Sequence, residues 1–157
     1  MVGTVGKMLS EPNKAYIAGL IDADGAIMAS IESHSEKKYG FRIRVILKIT
    51  QSNPRVLEWV RGKLNRGKVV KNRNTFDWIL KTQTEALEVL NIIDNYSVGK
   101  GEQIALAKEI LSFPITSKND LLKIAHLADS LAGFNVRSKN RRKNYAAKIE
   151  DTISRND

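Results

Sequence analysis

Two carboxylates separated by a single residue, Asp22 and Asp24, end an apolar stretch of the chain and are followed at once by Gly25. The stretch has the features of a helix, because Ser10 can cap its start, Pro12 fits a first turn, and a glycine is a natural C-terminal cap. The aspartates would then lie at the negative end of the helix dipole, where an anion is disfavoured. A carboxylate held there indicates a cation nearby; the alternative is a packing helix with exposed caps.

The same segment carries small residues at helical spacing. Ala15, Gly19 and Ala23 are four residues apart, so they form a strip with almost no side chain along one side of the helix. Another helix could approach such a strip closely, as it can in membrane proteins. The segment is itself too short and too charged to span a bilayer. The strip therefore predicts a contact with another helix.

The composition favours a nucleic acid as partner. The chain has 157 residues, with 26 Lys and Arg against 17 Asp and Glu, for a formal net charge of +9 and a pI near 9.8. That charge suits a polyanion, although a merely soluble basic protein would show it too. The absence of cysteine excludes a disulfide framework and a thiolate zinc site.

The chain is interpreted as one domain over residues 1–157, since it has neither a linker nor a low-complexity segment. No apolar run is long enough for a membrane span, so no membrane partner is expected. The N-terminus lacks the apolar core of a secretory signal. We therefore expect an intracellular protein, cytoplasmic if the source is prokaryotic and organellar if it is eukaryotic.

Hydrophobic periodicity predicts both helices and strands. The segments 41–49 and 75–82 alternate apolar and polar residues, which is typical of half-buried antiparallel strands. The predicted helices are about 12–24, 54–64, 83–94, 101–111, 117–132 and 141–154, and the predicted strands are 26–33, 41–49, 67–71 and 75–82. This order predicts an α+β domain whose four-stranded antiparallel sheet is covered by helices on one face only.

The uncovered face of that sheet is rich in side chains that can read bases. Arg and Lys can pair with guanine, Asn with adenine, and Glu or Asp with cytosine, and a two-stranded ribbon fits the major groove. The predicted contacts are Ser30, Glu32, Arg42, Arg44, Lys48, Lys68, Asn72, Arg73, Asp77 and Lys81. An ordinary solvated sheet face is the alternative. In the hairpin 67–75, either Lys68, Val70 and Asn72 or Lys71 and Arg73 face outward, depending on a bulge.

Residues 17–25 read Ile-Ala-Gly-Leu-Ile-Asp-Ala-Asp-Gly. Eight of these nine residues match the motif of the LAGLIDADG homing endonucleases, with only Ile17 in place of Leu. The motif occurs once, and the α-β-β-α-β-β-α order resembles the single-motif branch of that family across nearly the whole chain. The resemblance implies a site-specific DNA endonuclease, encoded in an intron, with extra helices at the C-terminus.

The resemblance also implies roles for particular residues. Asp24 would bind the divalent metal, and Ala23 would supply a backbone carbonyl to it. Gln51, after the second strand, and Lys100, before a later helix, would complete the catalytic site, and Arg55 would lie at its edge against the DNA. The expected ion is Mg²⁺, which takes few carboxylates plus water and phosphate oxygens; Mn²⁺ or Ca²⁺ could replace it for binding.

A single motif supplies one metal-binding aspartate, whereas duplex DNA has two strands. A homodimer would supply both sites and would match a long pseudo-palindromic target. Its predicted interface consists of Ala15, Ala18, Gly19 and Asp22. Each subunit would add phosphate contacts just before the last helix, at Ser138, Lys139, Arg141, Arg142 and Lys143, where a solvated helix start is the alternative.

Two other functions remain open from the sequence. An intron RNA maturase would have host intron RNA as its partner, and a non-catalytic DNA-binding protein of the same fold would need no metal. The intact Asp24, Gln51 and Lys100 favour cleavage over both.

Overall fold

The computed structural model of the protein describes residues 9–135 and 144–156. Its elements, in chain order, are α1 (Glu11–Asp24), β1 (Gly25–Ser33), β2 (Phe41–Gln51), α2 (Pro54–Leu64), β3 (Lys68–Asn72), β4 (Thr75–Leu80), α3 (Gln83–Asp94), α4 (Gly101–Ser112), α5 (Lys118–Asn135) and α6 (Tyr145–Asn156). Each predicted helix and strand is present within about four residues of its predicted bounds. The predicted phosphate contacts Ser138, Lys139, Arg141, Arg142 and Lys143 lie outside the described residues.

The helix α1 begins and ends close to where the sequence predicts. The Ser10 hydroxyl accepts a hydrogen bond from the Asn13 backbone N–H at 3.3 Å, and a proline occupies the first turn. Gly25 ends the helix, but its backbone is extended (φ −94°) and not left-handed. A glycine fits here because a Cβ would lie 2.7 Å from the Ile21 Cα. The chain can therefore pass directly from α1 into β1 without a loop.

The four strands form one antiparallel sheet in the order β1-β2-β4-β3. Side chains on β1 and β2 alternate between the core and the other face, as the period-two pattern predicts. The core-facing residues include Ile27, Val45, Leu47, Ile49 and Trp78, all of them buried. The predicted fold class, with a four-stranded antiparallel sheet, is confirmed.

The helices pack on the buried face of the sheet and leave the other face uncovered. Their buried residues, such as Ile17, Leu57 and Leu90, join the strand residues in one hydrophobic core. The helix α5 packs against both β1 and α6, and its Asp129 carboxylate caps α6 by accepting from the backbone N–H groups of Tyr145 and Ala146. Among the described residues, no helix is long and apolar enough to cross a membrane.

Candidate active site and nucleic-acid interface

The C-terminal end of α1 brings Asp24 beside the last residue of β2. Since β1 follows α1 directly and pairs antiparallel with β2 from Gly25 opposite Ile49, the end of β2 returns to the point where α1 stops. The Gln51 Nε2 donates a hydrogen bond to the Asp24 Oδ2 at 2.7 Å. Two of the residues predicted to be catalytic, 27 positions apart in sequence, therefore meet at one place.

The other aspartate of the motif, Asp22, organises the loop between α3 and α4. Its Oδ2 accepts from the backbone N–H groups of Val98 at 2.7 Å and Gly99 at 3.0 Å, and its Oδ1 accepts from the Ser97 hydroxyl at 2.6 Å. Burial raises the pKa of Asp22, but the hydrogen bonds from Gly99, Ser97 and Val98 outweigh it and hold the pKa below its ordinary value. The carboxylate is thus ionised and engaged within its own chain.

The loop that Asp22 holds is the one that carries Lys100. The Lys100 Nζ donates to the backbone carbonyl of Asp22 at 3.0 Å, and its backbone N–H donates to the Ser97 hydroxyl at 3.2 Å. Lys100 therefore lies against the last turn of α1, next to Asp22, which precedes Ala23 and Asp24. The structure brings the three predicted catalytic residues to one end of one helix, where an ammonium, a carboxylate and an amide converge.

This end of α1 offers suitable ligands for a hard cation such as Mg²⁺. The Asp24 side chain is exposed, only its Oδ2 is taken by Gln51 among the described residues, and the last turn of a helix leaves its carbonyls without helical partners. No group of three acidic or His side chains that could hold a metal occurs in the described part of the chain. One chain therefore provides a single carboxylate, which suits an ion completed by water, phosphate and a second copy.

Arg55 lies at the start of the helix that follows Gln51, one of these three residues. It is exposed in the first turn of α2, four residues after Gln51. It lines a groove together with Pro12 and Tyr16 of the N-terminal half of α1. Its position at the edge of the catalytic site stays a prediction.

The outer side of α1 carries the small-residue strip. Ala15, Gly19 and Ala23 are exposed, and a Cβ added to Gly19 would meet nothing within 4 Å. Ala18 requires a correction, since its side chain is completely buried in the core beneath α1 and cannot form part of an outer interface. Asp22, also predicted for the interface, is half-buried and bonded to the loop before α4.

An aromatic pair next to the strip was missed by the sequence reasoning. Tyr16 is 53% exposed, and its ring meets Trp59 of α2 edge to face at a centroid distance of 5.1 Å. The spacing of Tyr16, Gly19 and Ala23 is helical, so this spacing in the sequence could have placed the tyrosine on the strip. The outer side of α1 thus combines a glycine, two alanines and a large exposed ring.

The uncovered sheet face has the residues that the alternation predicts. Ser30 and Glu32 of β1 stand opposite Arg44 and Arg42 of β2, and Lys48 points the same way. The Glu32 carboxylate accepts from the Arg42 Nη2 and the Arg44 Nη2, each at 2.8 Å. The hydrogen bonds from Arg42, Arg44 and Ser30 lower the pKa of Glu32 to about 2. Four of the predicted base-reading residues are therefore bonded together, because Ser30, Arg42 and Arg44 all donate to Glu32.

The hairpin of β3 and β4 resolves the register that the sequence left open. Val70 pairs with Asp77 and Lys68 with Ile79, so Lys68, Val70 and Asn72 share the uncovered face, as in the first alternative. Arg73 lies in the turn with φ 57°, a left-handed backbone. Lys81 is exposed just after β4 ends.

Asp77 needs a correction as a direct base contact. It lies on the predicted face, but only 3% of it is exposed. Its Oδ1 accepts from the Thr50 hydroxyl at 2.6 Å and its Oδ2 from the Asn72 Nδ2 at 3.1 Å. The residues beside Asp77 cover it and take both oxygens, so Asp77 orients Asn72 and does not itself face a ligand.

Comparison with known proteins identifies the family. The sequence model described as LAGLIDADG endonuclease matches residues 17–111. The chain belongs to the LAGLIDADG endonuclease family. The match begins in the motif at the end of α1 and ends in α4, so it includes Asp24, Gln51 and Lys100. A search of curated proteins by sequence found no match.

Solved structures of LAGLIDADG homing endonucleases share the fold over almost the whole chain. I-CvuI in complex with the I-CreI target, in the presence of Mg, is 27% identical with a TM-score of 0.82, and covers 92% of this chain and 94% of its own. I-CvuI with its own target in the presence of Ca is 26% identical with a TM-score of 0.80, and the match covers 90% of this chain and 92% of I-CvuI. The archaeal, intron-encoded I-Vdi141I complexed with DNA is 23% identical with a TM-score of 0.75, and the match covers 88% of this chain and 94% of I-Vdi141I. This likeness shows the shared fold.

Proposed function

We propose that this protein is a site-specific homing endonuclease. It would act as a homodimer on a long pseudo-palindromic duplex and hydrolyse one phosphodiester in each strand with a divalent metal, Mg²⁺. The observation that carries the proposal is the convergence of Asp24, Gln51 and Lys100 at the exposed end of α1. The family membership supports it, and the I-CvuI target complexes, one with Ca and one with Mg and the DNA not cleaved, support binding of DNA in the presence of a divalent ion.

Each residue of the convergent group has a distinct task in hydrolysis. The Asp24 carboxylate and the Ala23 carbonyl would hold the metal, while the Gln51 amide, fixed on Asp24, would orient the attacking water. The Lys100 ammonium would neutralise the negative charge that builds on the phosphate. A divalent ion held there would supply an activated water and would stabilise the negative charge that develops on the phosphate. In the described part of the chain, neither His34, between β1 and β2, nor His126, exposed on α5, is hydrogen-bonded to this group, so no histidine base is invoked.

The homodimer follows from the count of catalytic groups. One chain supplies one Asp24, and two strands must be cut, so two chains with twofold symmetry supply the matching pair. The exposed strip of Ala15, Gly19 and Ala23 ends next to Asp24, so packing the two strips would bring both carboxylates to the middle of the duplex. Two chains together carry a formal charge of +18, twice +9, which suits long contact with DNA.

Two alternatives would use the same surface differently. A maturase would bind host intron RNA, and a non-catalytic DNA-binding protein would need no metal. Neither activity by itself requires a carboxylate, an amide and an ammonium assembled at the end of α1. The proposal has two further parts. The protein is encoded in an intron, and it binds the RNA of that intron in addition to DNA. Metal-dependent nicking of duplex DNA separates cleavage from both alternatives.

Asp24→Asn tests the proposal directly. The change keeps the size and an acceptor for Gln51 but removes a metal ligand, so cleavage should fall by about a hundred- to a thousandfold, the range seen when a transition-state electrostatic group is lost. DNA affinity should stay within about threefold, since no base contact is lost. Cleavage with Mg²⁺ and binding with Ca²⁺ are measured on the same duplex.

Glu109→Gln is the matched control, because it changes charge equally at an exposed position of α4. It should cut as the wild type does. An Asp24→Asn protein that cuts at the wild-type rate would overturn the assignment of the metal site.

A further inference from the structure

One carboxylate near the far end of β1 holds two guanidinium groups of β2. The Glu32 Oε2 accepts from the Arg42 Nη2 and the Glu32 Oε1 from the Arg44 Nη2, both at 2.8 Å. The Ser30 hydroxyl donates to the same Oε1 at 3.1 Å. The register of β1 against β2 explains these hydrogen bonds, because Glu32 lies opposite Arg42 and Ser30 lies opposite Arg44 on the uncovered face.

The two arginines keep donors that nothing in the described part of the chain takes. Each donates from Nη2 to Glu32, and each Nε is buried without a hydrogen-bond partner, so the donors left for a ligand are those of Nη1 and the second N–H of Nη2. A guanidinium has five N–H donors in a fixed plane and cannot lose its charge. Both side chains are partly exposed, at 37% for Arg42 and 24% for Arg44. The pair thus presents unused, oriented donors on the face predicted to contact DNA.

Fold stability does not account for this cluster. Ion pairs at a solvated surface contribute little, because solvent screens them and the side chains lose rotamer freedom. The cluster instead restricts the two arginine side chains. Glu32 holds both positively charged groups, two residues apart on one face, in fixed positions before any ligand binds. Side chains fixed in advance lose less entropy on binding.

We propose that Glu32, Arg42 and Arg44 form a preorganised guanine reader for the outer part of each half-site, with Glu32 as its positioning residue. This inference rests on the proposed DNA-binding function. A planar arginine fork matches the O6 and N7 acceptors of guanine in the major groove. The carboxylate that holds the forks can also accept from the N4 amino group of cytosine, so the cluster as a whole is complementary to G·C pairs.

The distance from the metal site gives the position of the base pairs. Glu32 is eight residues after Asp24 along an extended strand, which corresponds to about 26 Å at about 3.3 Å per residue. At about 3.4 Å per base pair, the cluster lies about eight base pairs from the cut phosphate. The expected preference is therefore guanine at one or two neighbouring positions about eight base pairs out, repeated symmetrically in both half-sites.

Selection by binding tests the inference separately from cleavage. A randomised duplex library is selected on the wild-type protein with Ca²⁺ present, and bound sequences are read. Affinity is then compared between guanine and adenine at the enriched outer positions. Wild type should prefer guanine by about 5- to 140-fold, the discrimination of one good bidentate contact.

Three variants separate base reading from general electrostatics. Glu32→Gln should lose most of the guanine preference, because an amide has only one oxygen to accept hydrogen bonds from the two guanidinium groups. Glu58→Gln removes the same charge on the exposed surface of α2 and should keep the preference. Arg44→Lys keeps the charge but not the fork, so it should lower the preference while leaving the slope of log K against log[salt] unchanged.

The outcomes are distinct. A wild type that selects a specific sequence without guanine at these positions, or a Glu32→Gln protein that keeps the full preference, overturns the reader while leaving the endonuclease proposal intact. A protein that shows the outer guanine preference but cuts no DNA with Mg²⁺ supports the reader and overturns the cleavage proposal. A wild type that binds all duplexes equally overturns both. Thermal melting checks that each variant is folded.

Discussion

The two aspartates of the motif, Asp22 and Asp24, have different tasks although only one residue separates them. Asp24 is exposed at the end of α1, where a metal and phosphate can reach it. Asp22 points instead to the loop before α4 and accepts from the backbone N–H groups of Val98 and Gly99. Since that loop carries Lys100, we propose that Asp22 positions this lysine and does not bind the metal.

Replacing Asp22 by Asn should therefore disturb both the loop and the chemistry. An Asn side chain brings an N–H₂ group into a site that is lined by N–H and O–H donors, so at least one hydrogen bond is lost. The free energy of unfolding should fall by about 1–3 kcal/mol, the usual cost of leaving a buried partner unpaired. Cleavage should fall about tenfold or more while DNA affinity changes little, as Lys100 loses its fixed place.

Melting, cleavage and binding of one preparation measure these effects. Val98→Ala is the control, since Val98 is 94% exposed and uses only its backbone to hold Asp22. It should leave all three readouts unchanged. An Asp22→Asn protein with wild-type cleavage would contradict the positioning role.

The ionisation of Glu32 gives a prediction for pH. Hydrogen bonds from Arg42, Arg44 and Ser30 lower its pKa from 4.5 to about 2. A depressed pKa in the folded state means that the stabilising contribution is complete above pH 4.5 and is lost as the pH falls towards 2. The difference in unfolding free energy between wild type and Glu32→Gln, small at neutral pH because solvent screens these ion pairs, should therefore shrink further over that window. Denaturant titrations from pH 2 to 6 measure it, and a difference that is independent of pH would contradict the ion pairs.

At the scale of elements, the side chain of Gln83 makes the backbone hydrogen bonds that β2 lacks beyond the end of β4. β4 ends at Leu80, so β2 continues beyond it without a partner strand on that side. Gln83, the first residue of α3, takes that place: its Oε1 accepts from the Val45 N–H at 2.7 Å and its Nε2 donates to the Val45 carbonyl at 2.9 Å. Val45 is completely buried, so water cannot replace these bonds.

Gln83→Ala should therefore destabilise the fold without touching the active site. Two buried backbone groups lose their partners, which should lower the free energy of unfolding by about 2–4 kcal/mol. Gln83→Glu should cost less, because a carboxylate still accepts from the N–H. The free energy of unfolding is measured by urea titration. Cleavage at low temperature should be unchanged, and a loss of activity in a folded variant would contradict this purely structural role.

Periodicity and capping residues were enough to predict the elements, and the single motif placed the end of α1. What a linear pattern cannot give is the set of neighbours that a folded chain brings together. The alternation of β4 put Asp77 on the correct face, yet Thr50 and Asn72, from two other strands, cover it. Ala18 shares helical spacing with Ala15, but α1 turns that side towards the core.

The three residues proposed for catalysis could be selected only through the family resemblance. Gln51 and Lys100 are ordinary polar residues at the ends of elements, and nothing in their spacing places them beside Asp24. The register of β1 against β2 brings Gln51 to Asp24, and the Asp22 hydrogen bonds bring Lys100. These contacts depend on tertiary structure.

At the scale of the whole molecule, the proposed endonuclease needs two copies of the chain. One copy has one carboxylate proposed to bind metal, a strongly basic composition, and an outer side of α1 that carries the strip of Ala15, Gly19 and Ala23 beside the exposed ring of Tyr16. A twofold partner packed on this side would cover the ring and bring a second Asp24 to the first. Assembly and catalysis should therefore be lost together.

Gly19→Leu tests this coupling. In the single chain a side chain at Gly19 meets nothing within 4 Å, and leucine favours a helix over glycine by about 1 kcal/mol, so the monomer should fold at least as well as the wild type. In the dimer the same side chain would stand where two helix backbones approach closely, so assembly should fail. Sedimentation velocity should show a monomer at micromolar concentration, and double-strand cleavage should fall by about a hundredfold or more.

Gly133→Leu provides the matched control, because Gly133 is also an exposed helical glycine with open space around it, but on α5. It should stay dimeric and active, so any difference between the two variants reports the face of α1 and not the gain in helix propensity. A Gly19→Leu protein that sediments as a dimer and cuts both strands at the wild-type rate would place the interface elsewhere. A wild type that is monomeric on DNA yet cuts both strands would remove the need for a second Asp24, since one metal site would then have to serve both strands in turn.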